Sequence, residues 1–237
     1  MQDRRFMSSS QAQAANIDAG LRSYMLGVYN HMTIGMAITG FFAYLTKIMS
    51  VSEGMLTPFG TAIYASPLKW VIMLAPLGMV FWLSAKVQTM KPESARNLFY
   101  AFAAIMGISL SSLLLVFTGE SVIRVFFLTA ASFSALSIYG YTTKKNLTSM
   151  GSFLIMGLVG LILASIVNIF LASSAMQFII SVVGVLIFAG LTAYDTQRIK
   201  LMYMASDDRG TALKKSIMGA LTLYLDFINM FIMLLQL

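Results

Sequence analysis

The chain has 237 residues, of which 58% are hydrophobic and only 11% are charged, and its mean hydropathy is +0.81. This composition lies far from the balance of globular domains in water and excludes a water-soluble protein. The net charge is +7, and the lack of cysteine excludes disulfides, thiolate metal sites and a thiol nucleophile.

Seven apolar stretches follow one another along the chain, each near the ~20 residues that cross a ~30 Å hydrocarbon core. The predicted spans are 24–46, 68–88, 97–117, 121–143, 150–171, 176–197 and 216–237. The polar segment Met1 to Ser23 is too long for the n-region of a signal peptide, so the first span is expected to be retained. The sequence therefore predicts an all-α integral membrane protein with a polar tail at 1–23 and a seven-helix transmembrane domain at 24–237.

The basic residues divide unequally between the segments that connect these spans. Thirteen of the sixteen lysines and arginines lie in the tail or after the second, fourth and sixth spans, and only Lys47, Lys69 and Arg124 lie on the other side. Because Lys and Arg are retained on the cytoplasmic side, the N-terminus is predicted to be cytoplasmic and the C-terminus to lie on the far side. The positive charge thus indicates topology, and no nucleic-acid partner is expected.

Few polar side chains interrupt the spans. His31 in the first span is the single histidine, and a hydrogen-bonded packing role is favoured over a proton relay. Asn168 in the fifth span is expected to bond across helices. Gly157 and Gly160 in the fifth span predict close helix packing, and Gly184 and Gly190 predict close approach or local bending of the sixth span.

Two of the nine acidic residues lie inside predicted spans, Asp195 in the sixth and Asp226 in the seventh. A charged side chain near the bilayer centre costs at least ~2.5–3.5 kcal/mol, so each is a functional candidate. The two spans run antiparallel, so their carboxyl groups can face each other. Two carboxylates in a low dielectric cannot both ionise cheaply, and the pair is expected to share a proton and to act as a pH sensor.

A purely structural interpretation stays open for each aspartate. Asp195 lies near the cytoplasmic end of its span, where it is three residues before Arg198 and can pair with it or be solvated by the loop. Asp226 can be a packing group that bonds to Asn229 or to a backbone carbonyl. The depth of Asp226 makes that role a costly use of an acid.

The two aspartates belong to the segments Ala193-Tyr-Asp-Thr-Gln-Arg-Ile199 and Leu223-Tyr-Leu-Asp-Phe-Ile-Asn-Met-Phe231. These segments resemble motifs of the Bax inhibitor family, the transmembrane Bax inhibitor motif proteins. The stretch from Arg96 to Leu110 is similar to the third span of that family, so the resemblance covers about residue 20 to the C-terminus. It implies a seven-helix bundle with a central last helix and a pH-dependent calcium leak controlled by Asp195 and Asp226.

The resemblance also raises the question of a basic latch. Some bacterial members close the pore with an arginine near the end of the second span, which pairs with the aspartate at the position of Asp195. This chain reads Phe81-Trp-Leu-Ser-Ala-Lys86 there, so Lys86 or Arg96 is the candidate substitute. The short loops and the lack of a charged C-terminal tail resemble bacterial members and imply an inner membrane.

No cofactor is expected, and calcium is expected as the permeant ion. Its contact with Asp195 and Asp226 is expected to be transient, because the site offers fewer oxygen ligands than the about six to eight of a tight calcium site. A second possible function is a non-transporting modulator of a membrane quality-control protease, since bacterial members similar to this chain include such regulators. The tail at 1–23 would then carry the protein contact.

A third possibility is an intramembrane aspartyl protease, because those enzymes also place a Tyr-Asp pair on a sixth span and a second aspartate on a seventh. They carry Gly-x-Gly-Asp at the second aspartate, where this chain has Leu223-Tyr-Leu-Asp226. The chain also has no Pro-Ala-Leu segment after that position. We therefore expect no enzymatic activity.

Overall fold

The computed structural model describes residues 9–237, which lie almost entirely in helices. Within that range seven helices are long and apolar enough to cross a membrane, which confirms the predicted all-α bundle. They are α1 (Ser9–Ser50), α2 (Leu68–Lys86), α3 (Pro92–Leu110), α4 (Gly119–Thr142), α5 (Thr148–Leu171), α6 (Ser174–Leu201) and α7 (Arg209–Leu235). A short helix at Leu113–Val116 continues the third span after a turn.

The first helix is longer than the predicted span. It already includes Ser9, the first residue that the structure describes, whereas the span was predicted to begin at residue 24. The described part of the helix runs for 42 residues, or about 63 Å. Apolar runs locate only the part of a helix that faces hydrocarbon, whereas the Ala and Gln residues before it continue the helix because they are good helix formers. The predicted separate tail at 1–23 falls partly on residues 1–8, outside the described range, and its cytoplasmic position stays a prediction.

The connection between α1 and α2 contains a small antiparallel hairpin. Strand β1 (Val51–Ser52) pairs with β2 (Met55–Leu56), with Val51 opposite Leu56. The two turn residues, Glu53 and Gly54, have φ of 52° and 78°, as a two-residue turn of type I′ requires. A short helix and a π-helix then follow at Pro58–Gly60 and Thr61–Ala65.

The last helix occupies the centre of the bundle, as the family resemblance implied. Helix α7 packs against α1, α3, α4 and α6. Its Tyr224 is fully buried, with the ring edge-on to Phe99 and Phe102 of α3. The Tyr224 hydroxyl is hydrogen-bonded to the Thr39 hydroxyl of α1 at 2.6 Å, so this large polar side chain is satisfied inside the core.

One end of the bundle gathers the segments that carry most of the basic residues, and we call it the basic end. It comprises the start of α1 and the α2–α3, α4–α5 and α6–α7 connections. The contacts that join them are Lys200 Nζ to the Tyr141 carbonyl (2.8 Å), Lys214 Nζ to the Gln88 carbonyl (2.9 Å) and the Tyr24 ring against the Tyr203 ring (5.7 Å). The basic segments thus share one end of the molecule, and the side of the membrane that this end faces stays a prediction.

At the basic end, Asp208 caps the start of α7. Its Oδ2 accepts hydrogen bonds from the backbone N–H groups of Gly210 (2.8 Å) and Thr211 (3.2 Å), and its Oδ1 accepts one from the Thr211 hydroxyl. These hydrogen bonds, first those from Thr211, hold the pKa of Asp208 below its ordinary value. The cap therefore stabilises the helix start above the unfolded-state pKa, and this contribution is lost as the pH falls through the folded-state pKa.

Replacing this cap is expected to loosen the first turn of α7. At neutral pH, D208A should exchange the amide hydrogens of Gly210 and Thr211 faster than the wild type, because both lose their acceptor. After correction for the intrinsic exchange rate, which itself falls with pH, acidification should lower the protection of both amides in the wild type but not in D208N, whose side-chain oxygen accepts from the same N–H groups and does not titrate. Hydrogen exchange of these amides at neutral and acidic pH measures both effects, and equal protection in D208A and the wild type would contradict the capping role.

Candidate functional site

The structure brings Asp195 and Asp226 together between α6 and α7. Both are buried, with 7% and 5% of their surface exposed. Their carboxyl groups are close enough for a side-chain hydrogen bond when one of them carries a proton. This contact arises because α6 and α7 run antiparallel and pack along their length, which turns the two acidic positions toward each other.

The surroundings of the pair offer little compensation for negative charge. Asp226 Oδ2 is buried with no hydrogen-bond partner among the described residues. An ionised carboxylate in that position would be an uncompensated buried charge, which is strongly destabilising. A proton held on one of the two carboxyl groups removes part of that charge and supplies a donor, so the geometry suits a shared proton.

Arg198 is the basic residue that approaches the pair. Its Nη1 lies 3.8 Å from Asp195 Oδ1, which is beyond hydrogen-bond distance, and 57% of its side chain is exposed. An exposed ion pair of this length contributes little because water screens it. In the described part of the chain Arg198 is the one basic side chain within 4.0 Å of Asp195, and Asp226 forms no ion pair.

None of the other predicted partners forms an ion pair or hydrogen bond with the two carboxyl groups among the described residues. Lys86 is exposed at the end of α2, a helix that packs chiefly against α3, and Arg96 is close to His31 near the start of α3. Neither forms an ion pair with an acid in residues 9–237. Asn229 donates from Nδ2 to the Leu225 carbonyl of its own helix at 2.8 Å, so that donor is used within α7.

A chain of hydroxyl groups beside Asp195 was not predicted from the sequence. The Tyr29 hydroxyl of α1 is hydrogen-bonded to Ser137 of α4, whose Oγ lies 2.9 Å from the Thr196 hydroxyl of α6. Thr196 donates to the Thr192 carbonyl at 2.7 Å. The chain ties three helices together at the residue after Asp195, and single hydroxyls scattered in apolar runs give no pattern that would identify it.

Two of the weaker polar predictions are confirmed. His31 Nδ1 lies 2.8 Å from the Tyr100 hydroxyl, which makes it the hydrogen-bonded packing group that was favoured over a relay. Asn168 donates from Nδ2 to Gln177 Oε1 at 3.2 Å and so bonds from α5 to α6. Both side chains are therefore accounted for by helix packing.

The small residues of α5 and α6 were predicted to allow close packing, and three of the four do so. An added Cβ would lie within 3.2 Å of a neighbouring side chain at each of them: Gly157 against Ile187, Gly184 against Met233 and Gly190 against Leu154. The prediction is wrong for Gly160, where no atom would lie within 4 Å. The spacing of glycines along the sequence does not tell whether a given glycine faces a neighbouring helix or the lipid.

A closer approach, not predicted, occurs at Gly140 of α4. A Cβ there would lie 2.2 Å from the carbonyl oxygen of Ala193, which belongs to the backbone of α6. Ala193 is two residues before Asp195. Gly140 therefore sets the distance between α4 and the part of α6 that carries the acid.

The ligand set around the aspartates is small. In residues 9–237 no three His, Asp or Glu side chains lie together in a group that would hold a metal ion. The two carboxyl groups offer four oxygens, fewer than the about six to eight that a tight calcium site uses. What the arrangement can do chemically is hold a proton between two acids and, once the proton leaves, attract a cation.

Comparison with known proteins identifies the group to which this chain belongs. The sequence profile of the family described as "Inhibitor of apoptosis-promoting Bax1" matches residues 21–237. A protein of Caulobacter vibrioides is 46% identical and aligns with 93% of this chain and 90% of its own length. The inner membrane protein YbhL of Escherichia coli K12 is 43% identical over 92% of both chains, and a membrane protein of Streptococcus pyogenes is 33% identical over 92% of this chain and 93% of its own. The chain is thus a multi-pass membrane protein that belongs to the Bax inhibitor family.

Proposed function

We propose that this protein is a pH-sensitive cation leak pathway of a bacterial inner membrane, with calcium as the permeant ion and the Asp195–Asp226 pair as its gate. The observation that carries the proposal is the contact of two buried carboxyl groups between α6 and the central helix α7. The location is supported by the similarity to YbhL, which is an inner membrane protein.

The gate follows from the energy of burying charge. One carboxylate in a low dielectric is costly, and two in contact repel each other, so the bundle is most stable when the pair holds one proton. The hydrogen bond made by that proton joins α6 to α7. When the proton leaves, the two charges must separate or attract a cation, and the equilibrium between two packings of these helices moves with pH.

The charged groups around the pair support a pH response that belongs to the two aspartates. Asp195 interacts with Arg198 and Asp226, and Asp226 interacts with Asp195. Because Arg198 is mostly exposed and 3.8 Å away, it does not neutralise the pair as a buried partner would. Arg198 is the basic group best placed to approach Asp195 once the shared proton is lost.

The small number of protein ligands favours a permeant cation over a tightly bound metal ion. Two carboxyl groups attract a divalent ion but leave most of its coordination to water. Such a site releases the ion readily, as conduction requires. Calcium is therefore the cargo of the pathway rather than a bound cofactor.

Flux in sealed vesicles that hold only the purified protein tests the proposal. With a calcium indicator inside, the wild type should leak calcium at a rate that changes with pH between mildly acidic and mildly alkaline buffers. D195N and D226N should each make the rate independent of pH over that range, because an amide cannot release the shared proton. E120Q is the matched control, since Glu120 is an exposed acid that pairs with Arg124, and it should keep the wild-type profile.

Three outcomes would contradict the proposal. If the wild type shows no calcium flux, the protein has a non-transporting role. A change in the activity of a membrane quality-control protease when this protein is present would then support the modulator. If both single variants keep the wild-type dependence of flux on pH, the two aspartates have a packing role and are not the pH sensor. Cleavage of a transmembrane peptide that is lost in D195N would identify an aspartyl protease.

A further inference from the structure

A long groove runs between α1 and α4 along the outside of the central helix. Its larger part has a volume of about 640 Å³, and a second part of about 340 Å³ continues it toward the opposite end. Met36 of α1, Phe126 of α4 and Phe227 of α7 line both parts, so the two are continuous. We call this feature the α1–α4 groove.

The walls of the α1–α4 groove are apolar. Met25 and Met32 of α1 face Phe126 and Ala130 of α4, and Phe227 forms the floor. All of these residues lie inside the membrane-spanning segments. Since no water is available at that depth to fill an apolar groove, its natural occupant is a hydrocarbon chain.

The larger part of the groove becomes polar and positive where it reaches the basic end. Its lining there includes Arg22, Tyr29, Ser137 and Tyr141. Arg22 is exposed and forms no ion pair with a described residue. Lys200 adds a second positive charge at this mouth, because its Nζ bonds to the Tyr141 carbonyl and lies 5.0 Å from the centre of the Tyr141 ring.

The opposite part of the groove also ends at a cation, Lys47 of α1. Arg22 and Lys47 are 25 residues apart on one continuous helix, which corresponds to about 37 Å. The hydrocarbon core is ~30 Å thick and the bilayer with its headgroups is ~40–45 Å. The two cations therefore lie near the phosphate levels of the two leaflets, with the apolar groove between them.

We propose that the part of the α1–α4 groove next to Arg22 binds one anionic phospholipid, with its phosphate on Arg22 and an acyl chain between α1 and α4. A guanidinium group matches phosphate through two parallel hydrogen bonds. The described lining of this part of the groove contains Arg22 and no acid, and Lys200 lies beside its mouth, which favours a net negative headgroup over a zwitterionic one. The proposal is independent of the cation leak.

Lipid retention measures this binding directly. Wild-type protein is placed in bilayer nanodiscs that contain equal amounts of dioleoylphosphatidylglycerol and dioleoylphosphatidylcholine, transferred to mild detergent, and examined by native mass spectrometry. The wild type should keep one phosphatidylglycerol per chain, several-fold enriched over phosphatidylcholine. R22Q should abolish the enrichment, and R22K should retain only part of it, because lysine keeps the charge but not the two parallel hydrogen bonds. Arg22 is exposed, so its replacement leaves the core unchanged.

A matched pair of tryptophan variants tests the acyl-chain part of the site. Ala130 lines the groove, whereas its neighbour Ala131 is exposed and lies outside it. A130W should fill the groove and lose the retained lipid, and A131W should keep it.

Equal retention of the two lipids by the wild type would overturn the proposal, and so would equal loss in A130W and A131W. A wild-type dimer that A130W converts to a monomer would also overturn it, by assigning the groove to a second copy of the chain.

Discussion

The double variant D195N/D226N is expected to change the pH dependence of cation flux no further than either single variant does. The two carboxyl groups are in contact and buried, so the titration belongs to the pair rather than to one residue. Removing either acid already removes the shared proton and the repulsion that follows its loss. A second replacement therefore has nothing further to remove.

Four proteins measured side by side provide the test: the wild type, D195N, D226N and the double variant. Coupled neighbours depart from additivity by about 0.5–3 kcal/mol, whereas distant independent sites add within a few tenths. The combination E120Q/D226N is the control, because Glu120 is exposed and pairs with Arg124 outside the core, and its two effects should add. Independent shifts of the flux profile that add in D195N/D226N would show that the two acids titrate separately.

The second large effect is expected from G140A, which should destabilise the bundle by about 1–3 kcal/mol, as overpacking does. The new methyl group would lie 2.2 Å from the Ala193 carbonyl oxygen. Because that oxygen belongs to the backbone of α6, no side-chain rotation relieves the contact and α4 must move away. The shift occurs two residues from Asp195, so the flux profile should change together with the stability.

G160A is the matched control for G140A, since both are glycines within transmembrane helices. Gly160 has no atom within 4 Å of an added Cβ, and alanine is favoured over glycine in a helix by roughly 0.5–1 kcal/mol. The midpoint of thermal unfolding in detergent should fall for G140A and stay level or rise for G160A. Equal midpoints in the two variants would mean that α4 and α6 are not in close contact at Gly140.

Much of the architecture could be predicted from the sequence because the membrane restricts the choices. A segment in hydrocarbon must satisfy its backbone hydrogen bonds internally, so a run of about 20 apolar residues predicts a helix. The seven spans follow from that rule. The high cost of a charge inside a span likewise identified Asp195 and Asp226, because the other seven acidic residues lie in predicted loops or in the tail.

The ends of the helices were less predictable, because the membrane restricts only the segment that lies in hydrocarbon. The apolar run marks the part of α1 in hydrocarbon, whereas the helix already includes Ser9, the first described residue, and so extends beyond that run. Position along the run also does not tell which side of a helix faces a neighbour, and the prediction for Gly160 was wrong on that account.

What only the tertiary structure decided is which distant residues meet. The hydroxyl chain joins Tyr29 to Ser137 across 108 positions and Ser137 to Thr196 across 59, and no local pattern encodes either contact. The same holds for the α1–α4 groove, whereas the approach of Arg198 to Asp195 joins residues three apart on one helix and was already open from the sequence. These features depend on the order in which the helices surround α7, and that order is set by side-chain packing over the whole bundle.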